Sequence, residues 1–286
     1  MARVWSAEGE LRRVLKRHSG TVFSLAWSPS GRHLLTCGVD RSSVVWDAER
    51  GEVAQQYTNH AAAVLGVAWR DDTSFVSCSS DKTIFAYELG RPLPVRHLIG
   101  HTNDVNAVEW DPSRTVLASC SDDKTARLWR LSQDQCLFTL SGHTKEIYSI
   151  QWSPACAAYS PILATASFDS YVKLWNPETG LATNTLSMHT FVFPFHTFLF
   201  ALFSYPSSTM TDHRDHVYRV RFSHSGDYLA SGSRDHRLCI WSVKTGKLVR
   251  SFRGPDTIFD LRWSADDSQI AACYSAHSAS IIDLRK

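Results

Sequence analysis

Trp27, Trp69, Trp110 and Trp152 lie 42, 41 and 42 residues apart, and no other feature of the chain constrains its fold as tightly. A second series runs out of phase with the first: Trp46, Tyr87, Trp129, Trp175 and Trp241 each follow an aspartate by six residues, namely Asp40, Asp81, Asp123, Asp169 and Asp235. A third series, His18, His60, His101 and His143, precedes Val22, Val64, Val105 and Ile147 by four. Three series on one period mean a repeated supersecondary unit.

Each unit reads as short alternating strands separated by turn residues, as in VNAVEW, DPSRT, VLASC, SDDKT and ARLWRL. A four-stranded antiparallel unit of this length predicts a propeller blade, whose two faces are buried only when neighbouring blades stack on it. The predicted class is all-β. Five complete four-stranded blades are expected, with a three-stranded last blade ending in SIIDL and a partial N-terminal blade. The latter is expected because ARVW at Ala2–Trp5 matches the third-strand run ARLW at Ala126–Trp129. Arg12–Leu15 could complete the last blade and close six; the alternative, favoured here, is an open fragment of a larger ring.

The interval from Asp169 to Asp235 is 66 residues, 24 more than the unit. Excising 190–213 joins His189 to Arg214 and restores the histidine-to-valine spacing at Val217, so 190–213 is expected to be an atypical apolar insertion between the fourth strand of one blade and the first strand of the next. It is read as an aberrant insertion or as an exposed apolar loop for a partner. The rest is expected to be a single domain over 1–286.

Composition excludes several functions. Thirty basic and 28 acidic residues give a net charge of +2 and no basic excess for nucleic acid or an anionic membrane. The longest apolar stretch, Phe191–Tyr205, falls short of the roughly 20 residues of a spanning helix. Seven cysteines form no CxxC pair, and Cys37, Cys78 and Cys120 share the repeat period, marking a packing position in a reducing compartment. Ser, His and Asp recur once per unit, whereas an active site would occur once, so the chain is read as a non-enzyme; no cofactor motif, metal site or small-molecule substrate is implied.

GHTNDVNAVEWDPSRTVLASCSDDKTARLW (Gly100–Trp129) and GHTKEIYSIQWSP (Gly142–Pro154) resemble WD repeats. The resemblance implies a buried hydrogen-bonded tetrad in each blade: His18, Thr36, Asp40 and Trp46; His60, Ser77, Asp81 and Tyr87; His101, Ser119, Asp123 and Trp129; His143, Thr165, Asp169 and Trp175; and, in the fifth, Ser231, Asp235 and Trp241. The last unit has Ala276 and Ile282 at the aspartate and tryptophan positions, and it is expected to be the least rigid. The resemblance also implies a peptide-binding face made by residues flanking the first Val of each blade and by the residue before the turn aspartate. These positions are Phe23, Asp104, Asn106, Asp122, Glu146, Tyr148, Phe168, Tyr218, Arg234 and Phe259. A phosphate-reading pocket would require several arginines converging on that face, and these positions supply Arg234 alone.

WDAERGEVAQQY, LASCSDDKTARLW, ATASFDSYVKLW and the terminal IDLRK are similar to the C-terminal propeller of the transducin-beta-like family of corepressor subunits, across all of the chain except the insertion. This implies a fragment of an eight-bladed ring and a nuclear scaffold (cytosolic residence being the alternative). The implied partners are a nuclear receptor corepressor and a histone deacetylase, with histone tails or ubiquitin machinery beyond them. Family members also carry LisH and F-box-like segments ahead of the ring; the chain starts after both, so self-association and ubiquitin coupling through them are not carried over. Two other readings stay open. One is a substrate receptor of a cullin-type ubiquitin ligase, for which Trp46-Asp47-Ala48-Glu49-Arg50 and Ile282-Asp283-Leu284-Arg285 are imperfect Trp-Asp-x-Arg turns. The other is a truncated, non-functional product.

Overall fold

A computed structural model describes residues 1–6, 8–155, 160–184, 209–210 and 213–285. Strands, without a helix among the described residues, make five four-stranded antiparallel blades, one two-stranded hairpin and one three-stranded sheet. The hairpin joins β1 (Ala2–Trp5) to β2 (Leu11–Leu15). Blade 1 runs β3 (Val22–Trp27), β4 (His33–Gly38), β5 (Ser43–Asp47) and β6 (Glu52–Tyr57). Blades 2 and 3 repeat this order from β7 (Val64–Trp69) through β10 (Arg96–Ile99), and from β11 (Val105–Trp110) through β14 (Phe138–Ser141).

Blade 4 comprises β15 (Ile147–Trp152), β16 (Leu163–Ser167), β17 (Val172–Asn176) and β18 (Leu181–Asn184), with β19 (Thr209–Met210) also on β17. Blade 5 is β20 (Val217–Phe222), β21 (Tyr228–Ser233), β22 (Arg237–Ser242) and β23 (Leu248–Arg253). The last sheet is β24 (Ile258–Trp263), β25 (Gln269–Tyr274) and β26 (Ala279–Asp283). Arg12–Leu15 is therefore taken up by Ala2–Trp5. The blade count agrees with the sequence reading.

The chain divides into two compact units, Met1–Ser141 and Gly142–Lys286. Within each, a blade's first strand packs on the first strand of the next, β3 on β7 and β7 on β11, then β15 on β20 and β20 on β24. In the first unit Leu35, Cys37, Val45, Val67, Trp69 and Phe75 fill the space between blades 1 and 2. In the second, Ala166, Leu174, Val220, Phe222 and Trp241 fill that between blades 4 and 5. Trp69 and Trp263 each close such a seam by donating Nε1–H to the preceding blade, at Ala26 and Arg221 carbonyls (3.0 and 2.9 Å). At Trp69 the Trp period is thus a stacking contact, whereas Trp27, which opens the series, is 47% exposed.

The expected insertion needs redrawing at its C-terminal end. Met210 pairs with Val172 and Thr209 with Lys173, extending the outer edge of blade 4 that Leu181–Asn184 begins. His213 is part of the fifth blade's buried network, as described below, so it cannot belong to a dispensable segment. His189 lies outside the described residues.

Cys37, Cys78 and Cys120 are all buried, as their period requires, and burial pushes the Cys37 thiol up to about 12 and the Cys78 thiol well above its ordinary value. Cys273 is exposed and Cys136 half-buried. Because the thiolate is the reacting species, a maleimide at pH 7 should modify Cys273 and Cys136 in the native chain. Peptide mapping should find Cys37 and Cys78 labelled only after denaturant is added; native labelling of either contradicts the packing described.

Candidate functional site

In each complete blade one carboxylate ties together a turn, a loop and two strands. His101 Nδ1 and Asp123 lie 2.8 Å apart, His101 Nε2 and Ser119 Oγ 2.8 Å, and Trp129 Nε1–H donates to Ser119 Oγ at 2.8 Å. The same carboxylate accepts Thr102 N–H at 3.1 Å and Thr125 N–H at 2.9 Å. Blades 1 and 4 repeat the arrangement through His18, Thr36, Asp40 and Trp46, and through His143, Thr165, Asp169 and Trp175. In blade 2, His60 bridges Ser77 and Asp81, and Tyr87 stands in the aromatic position against Tyr57 and Phe75, centroids 4.5 and 5.1 Å away. Sequence reasoning named no histidine in the fifth tetrad and brought His189 to that place by excising 190–213. His213 fills that place, 2.7 Å from Ser231 Oγ and 3.0 Å from Asp235.

A hydroxyl that accepts from Trp129 has one proton to give, and the imidazole Nε2 is placed to accept it, so the network is complete with a neutral ring whose Nδ1–H donates to the aspartate. Burial, outweighing the pull of Asp123 and Asp169, lowers the pKa of His101 and His143. Burial opposes ionisation of the aspartates as well. Hydrogen bonds from His101 and Thr125 overcome it at Asp123, whose carboxyl stays well below the usual range, and those of His213 and the backbone hold Asp235 at about 2. This is a structural network, with each polar group consumed by its neighbours.

The residue after each turn aspartate takes a positive φ: Arg41, Lys82, Lys124, Ser170 and His236, between 62° and 73°. The carboxylate holds this left-handed turn by accepting the N–H two residues on. In the last sheet His277 keeps the turn at φ 56° without the aspartate. Gly254 and Ala272 occupy the histidine and hydroxyl places there. The buried Tyr274 ring sits where a Gly254 side chain would go, its hydroxyl 2.6 Å from Ser280 Oγ. An aromatic plug replaces the tetrad.

The candidate binding positions have a backbone origin. Every first strand carries a bulge at its second residue, which drops out of the ladder: Phe23, Leu65, Asn106, Tyr148, Tyr218 and Phe259. A bulge re-aims the side chain it displaces. The residue before each turn aspartate is brought alongside by donating its N–H to the residue preceding that strand, as Asp122 does to Asp104, Phe168 to Glu146 and Arg234 to His216 (3.0, 2.9 and 2.9 Å).

In the first unit this yields a polar pair, Asn106 Nδ2–H donating to Asp122 Oδ1 at 2.6 Å, on the same blade as Asp104. Phe23, half exposed, is two blades away and does not join them. In the second unit it yields an aromatic cluster. Tyr148 stacks on Phe168 (5.3 Å, 17°), Phe168 on His216 (4.3 Å, 9°), and Tyr218 meets Tyr148, Phe168 and Phe259 edge-on at 5.6, 5.3 and 5.0 Å. Arg234 stands beside it, 3.8 Å from Asp215. Leu65 and His216 follow from the rule that selected the other positions, and were overlooked in reading the sequence. Of the two imperfect Trp-Asp-x-Arg turns, Asp47 accepts Glu49 and Arg50 N–H, and Arg285 pairs with Asp283 at 3.1 Å.

The family model for the WD domain, G-beta repeat, matches residues 9–47, 51–88, 92–130, 134–176, 204–242 and 246–283. The chain belongs to the WD-repeat family. It is 43% identical over its whole length to F-box-like/WD repeat-containing protein TBL1X of Mus musculus, covering 50% of that protein. It is 39% identical to WD40 repeat-containing protein HOS15 of Arabidopsis thaliana over 99% of the chain and 43% of that relative. The chain thus spans about half the length of such relatives, and it is a WD40 domain of the TBL1 type. The solved C-terminal WD40 domain of Sif2 shares the propeller fold, with a TM-score of 0.80 at 24% identity over 98% of the chain and 74% of that structure.

Asp123→Ala removes the acceptor of a buried imidazole and two backbone N–H groups, and should cost about 2 to 4 kcal/mol in urea unfolding. An unchanged midpoint would contradict the network. For His101 and His143, as for Asp123 and Asp235, the unfolded chain takes up protons at higher pH than the folded blade. Stability present at neutral pH should therefore fall as pH drops below about 6.5, and fall further below about 4. His213 has the opposite sign: burial opposes its charge, but the contact with Asp235 raises it to about 9, which adds stability that is complete below about 6.5. Urea midpoints measured from pH 6.5 to 3 test the fall; a midpoint that rises over that range is incompatible with it.

Proposed function

We propose that this protein-interaction scaffold serves a nuclear transcriptional corepressor complex containing a histone deacetylase, that it is not itself catalytic, and that partner peptides dock on the bulge-displaced face. The likeness to TBL1X over the full chain supports the assignment to corepressor machinery, since the transducin-beta-like resemblance carries that role. The aromatic cluster of the second unit supports the docking mode. Tyr148 and Phe259 are 46% and 47% exposed although each packs on another ring of the cluster, and rigid aromatics give contact area at small entropic cost. The nuclear receptor corepressor and the deacetylase are the proposed partners, with histone tails or ubiquitin machinery reached through them.

The tagged chain, expressed in cells and purified from nuclear extract, should bring down deacetylase and corepressor subunits by mass spectrometry. The double variant Tyr218→Ala, Phe259→Ala should lose them while keeping its urea midpoint within about 1 kcal/mol, because both positions lie outside the ladder. Recovery of a cullin adaptor in their place would assign the chain to a ubiquitin ligase.

A further inference from the structure

The residue two places after the turn aspartate is Ser42, Thr83, Thr125 and Tyr171 in blades 1 to 4, and Arg237 in blade 5. In the first three its hydroxyl donates to that aspartate, at 2.8, 2.6 and 2.6 Å, whereas at Arg237 the backbone N–H alone reaches Asp235. Across the ladder Thr83 faces Ile99 and Thr125 faces Ser141, but Arg237 faces Arg253. Like charges directly opposite each other destabilise a sheet, so the fold gains nothing from this pair. Between the two arginines the outer hairpin of blade 5 also carries Lys244, Lys247 and Arg250, and no Asp or Glu. The matching hairpins of blades 1 to 4 contain Asp47, Glu88, Asp134 and Glu178. Arg250 is engaged by the last sheet, donating to the Leu284 carbonyl at 2.9 Å. The side chains of Arg237, Lys244, Lys247 and Arg253 have no ion-pair partner among the described residues.

We propose that β23 is a docking edge for an acidic, extended segment of a partner protein, which adds to blade 5 as a fifth strand and sets carboxylates against Arg237, Arg253, Lys244 and Lys247. This strand is the outermost of its sheet, at the opposite edge from β20 and its Tyr218, and no described strand pairs with its outer side. Its six residues extend about 20 Å, with Lys247 exposed just before one end and Arg253 exposed at the other. Leu248 and Val249 between them are 37% and 49% exposed and offer apolar contact. Strand addition supplies main-chain hydrogen bonds, and the charges select the sequence. Charges on an edge strand can instead serve to prevent pairing, but Arg237 belongs to the third strand, where it guards no edge. A nucleic-acid track would want exposed rings for stacking, and the hairpin has only the buried Trp241 and the half-buried Phe252.

The test uses the full chain and fluorescein-labelled octapeptides of alternating Val-Glu or Val-Gln, read by anisotropy. The Val-Glu peptide should bind at least about ten-fold more tightly than Val-Gln, the worth of a charge-assisted pair, and about 300 mM NaCl should weaken it. Of two further Val-Glu peptides, N-methylated on the valine or on the glutamate amides, one should lose binding and the other keep it, because alternate N–H groups of an added strand face the sheet. The double variant Lys247→Gln, Arg253→Gln should bind Val-Glu and Val-Gln alike with an unchanged urea midpoint, and Lys247→Arg, Arg253→Lys should retain the preference. Tyr218→Ala, Phe259→Ala should bind the Val-Glu peptide as the parent chain does; loss in that variant places the peptide on the bulge-displaced face and overturns the assignment. Equal binding of Val-Glu and Val-Gln by the parent chain, equal binding of both N-methylated forms, or displacement by an equimolar thymidine 20-mer overturns it as well. No binding by any peptide, with self-association of the Lys247→Gln, Arg253→Gln variant, makes the cations an edge guard and ends the proposal.

Discussion

One carboxylate per blade, shared between an imidazole, the N–H beside that imidazole and the N–H of a left-handed turn, is the contact on which the rest of the fold depends. Without it the turn residue sits at positive φ with nothing to hold it, and the histidine loses the acceptor that fixes its tautomer. With it, the proton order runs from Trp129 through Ser119 and His101 to Asp123, leaving none of these four side chains' donors unpaired. A buried polar chain is costly when half made. That explains the all-or-nothing distribution of its parts. Blades 1 to 5 have histidine, hydroxyl and aspartate together, whereas the last sheet has Gly254, Ala272 and Ala276 together and puts the Tyr274 ring into the vacated space.

Stacking is a separate requirement, met by a separate set of residues. The first strand of each blade turns one side to the next blade within its unit, and a bulge at its second residue is what lets both demands coexist. The residues on either side of the bulge, Val217 and Val220, both point into the core, three apart where a regular strand would allow two or four, and Tyr218 is expelled. The displaced ring has no packing duty. Its chemistry is therefore free to vary, from Asn106 hydrogen-bonded to Asp122 in one blade to Tyr148 stacked on Phe168 in the next.

This division also decides what could be read from the residues alone. The blade count and most of the tetrad were legible because they recur: Trp, Asp and His at fixed offsets are visible as a period, and the period implies stacking before any coordinate is known. His213 was hidden because two histidines, 189 and 213, stand at offsets that 24 extra residues make equivalent, and only the bonds to Ser231 and Asp235 distinguish the one that belongs to the blade. The interruption itself was placed between blades, whereas Thr209–Met210 continues the edge of blade 4, since strand pairing across a long gap leaves no trace in local pattern. Tyr274 was missed for another reason. A substitution of the whole tetrad by a single ring has no periodic signature, and it needs the proximity of Gly254 to be understood.

The arginines of β20 and β24 show the limit of reading a repeat by its consensus. Positions were chosen in the sequence because they match a family pattern of exposed places, and Arg234 was the one basic residue that this pattern caught. Arg219, Arg221 and Arg262 lie two and four places past the first residue of strands whose counterparts in blades 1 to 4 are Ser, Gly, Ala, Gln or Glu, so consensus treats them as noise. In a fold where one unit is copied several times, the copies are each other's controls. A residue that every blade shares is explained by stability, because every blade must fold. A contact that only two adjacent blades hold, as Arg219 of β20 on Asp260 of β24, joins that one seam and is informative about it alone.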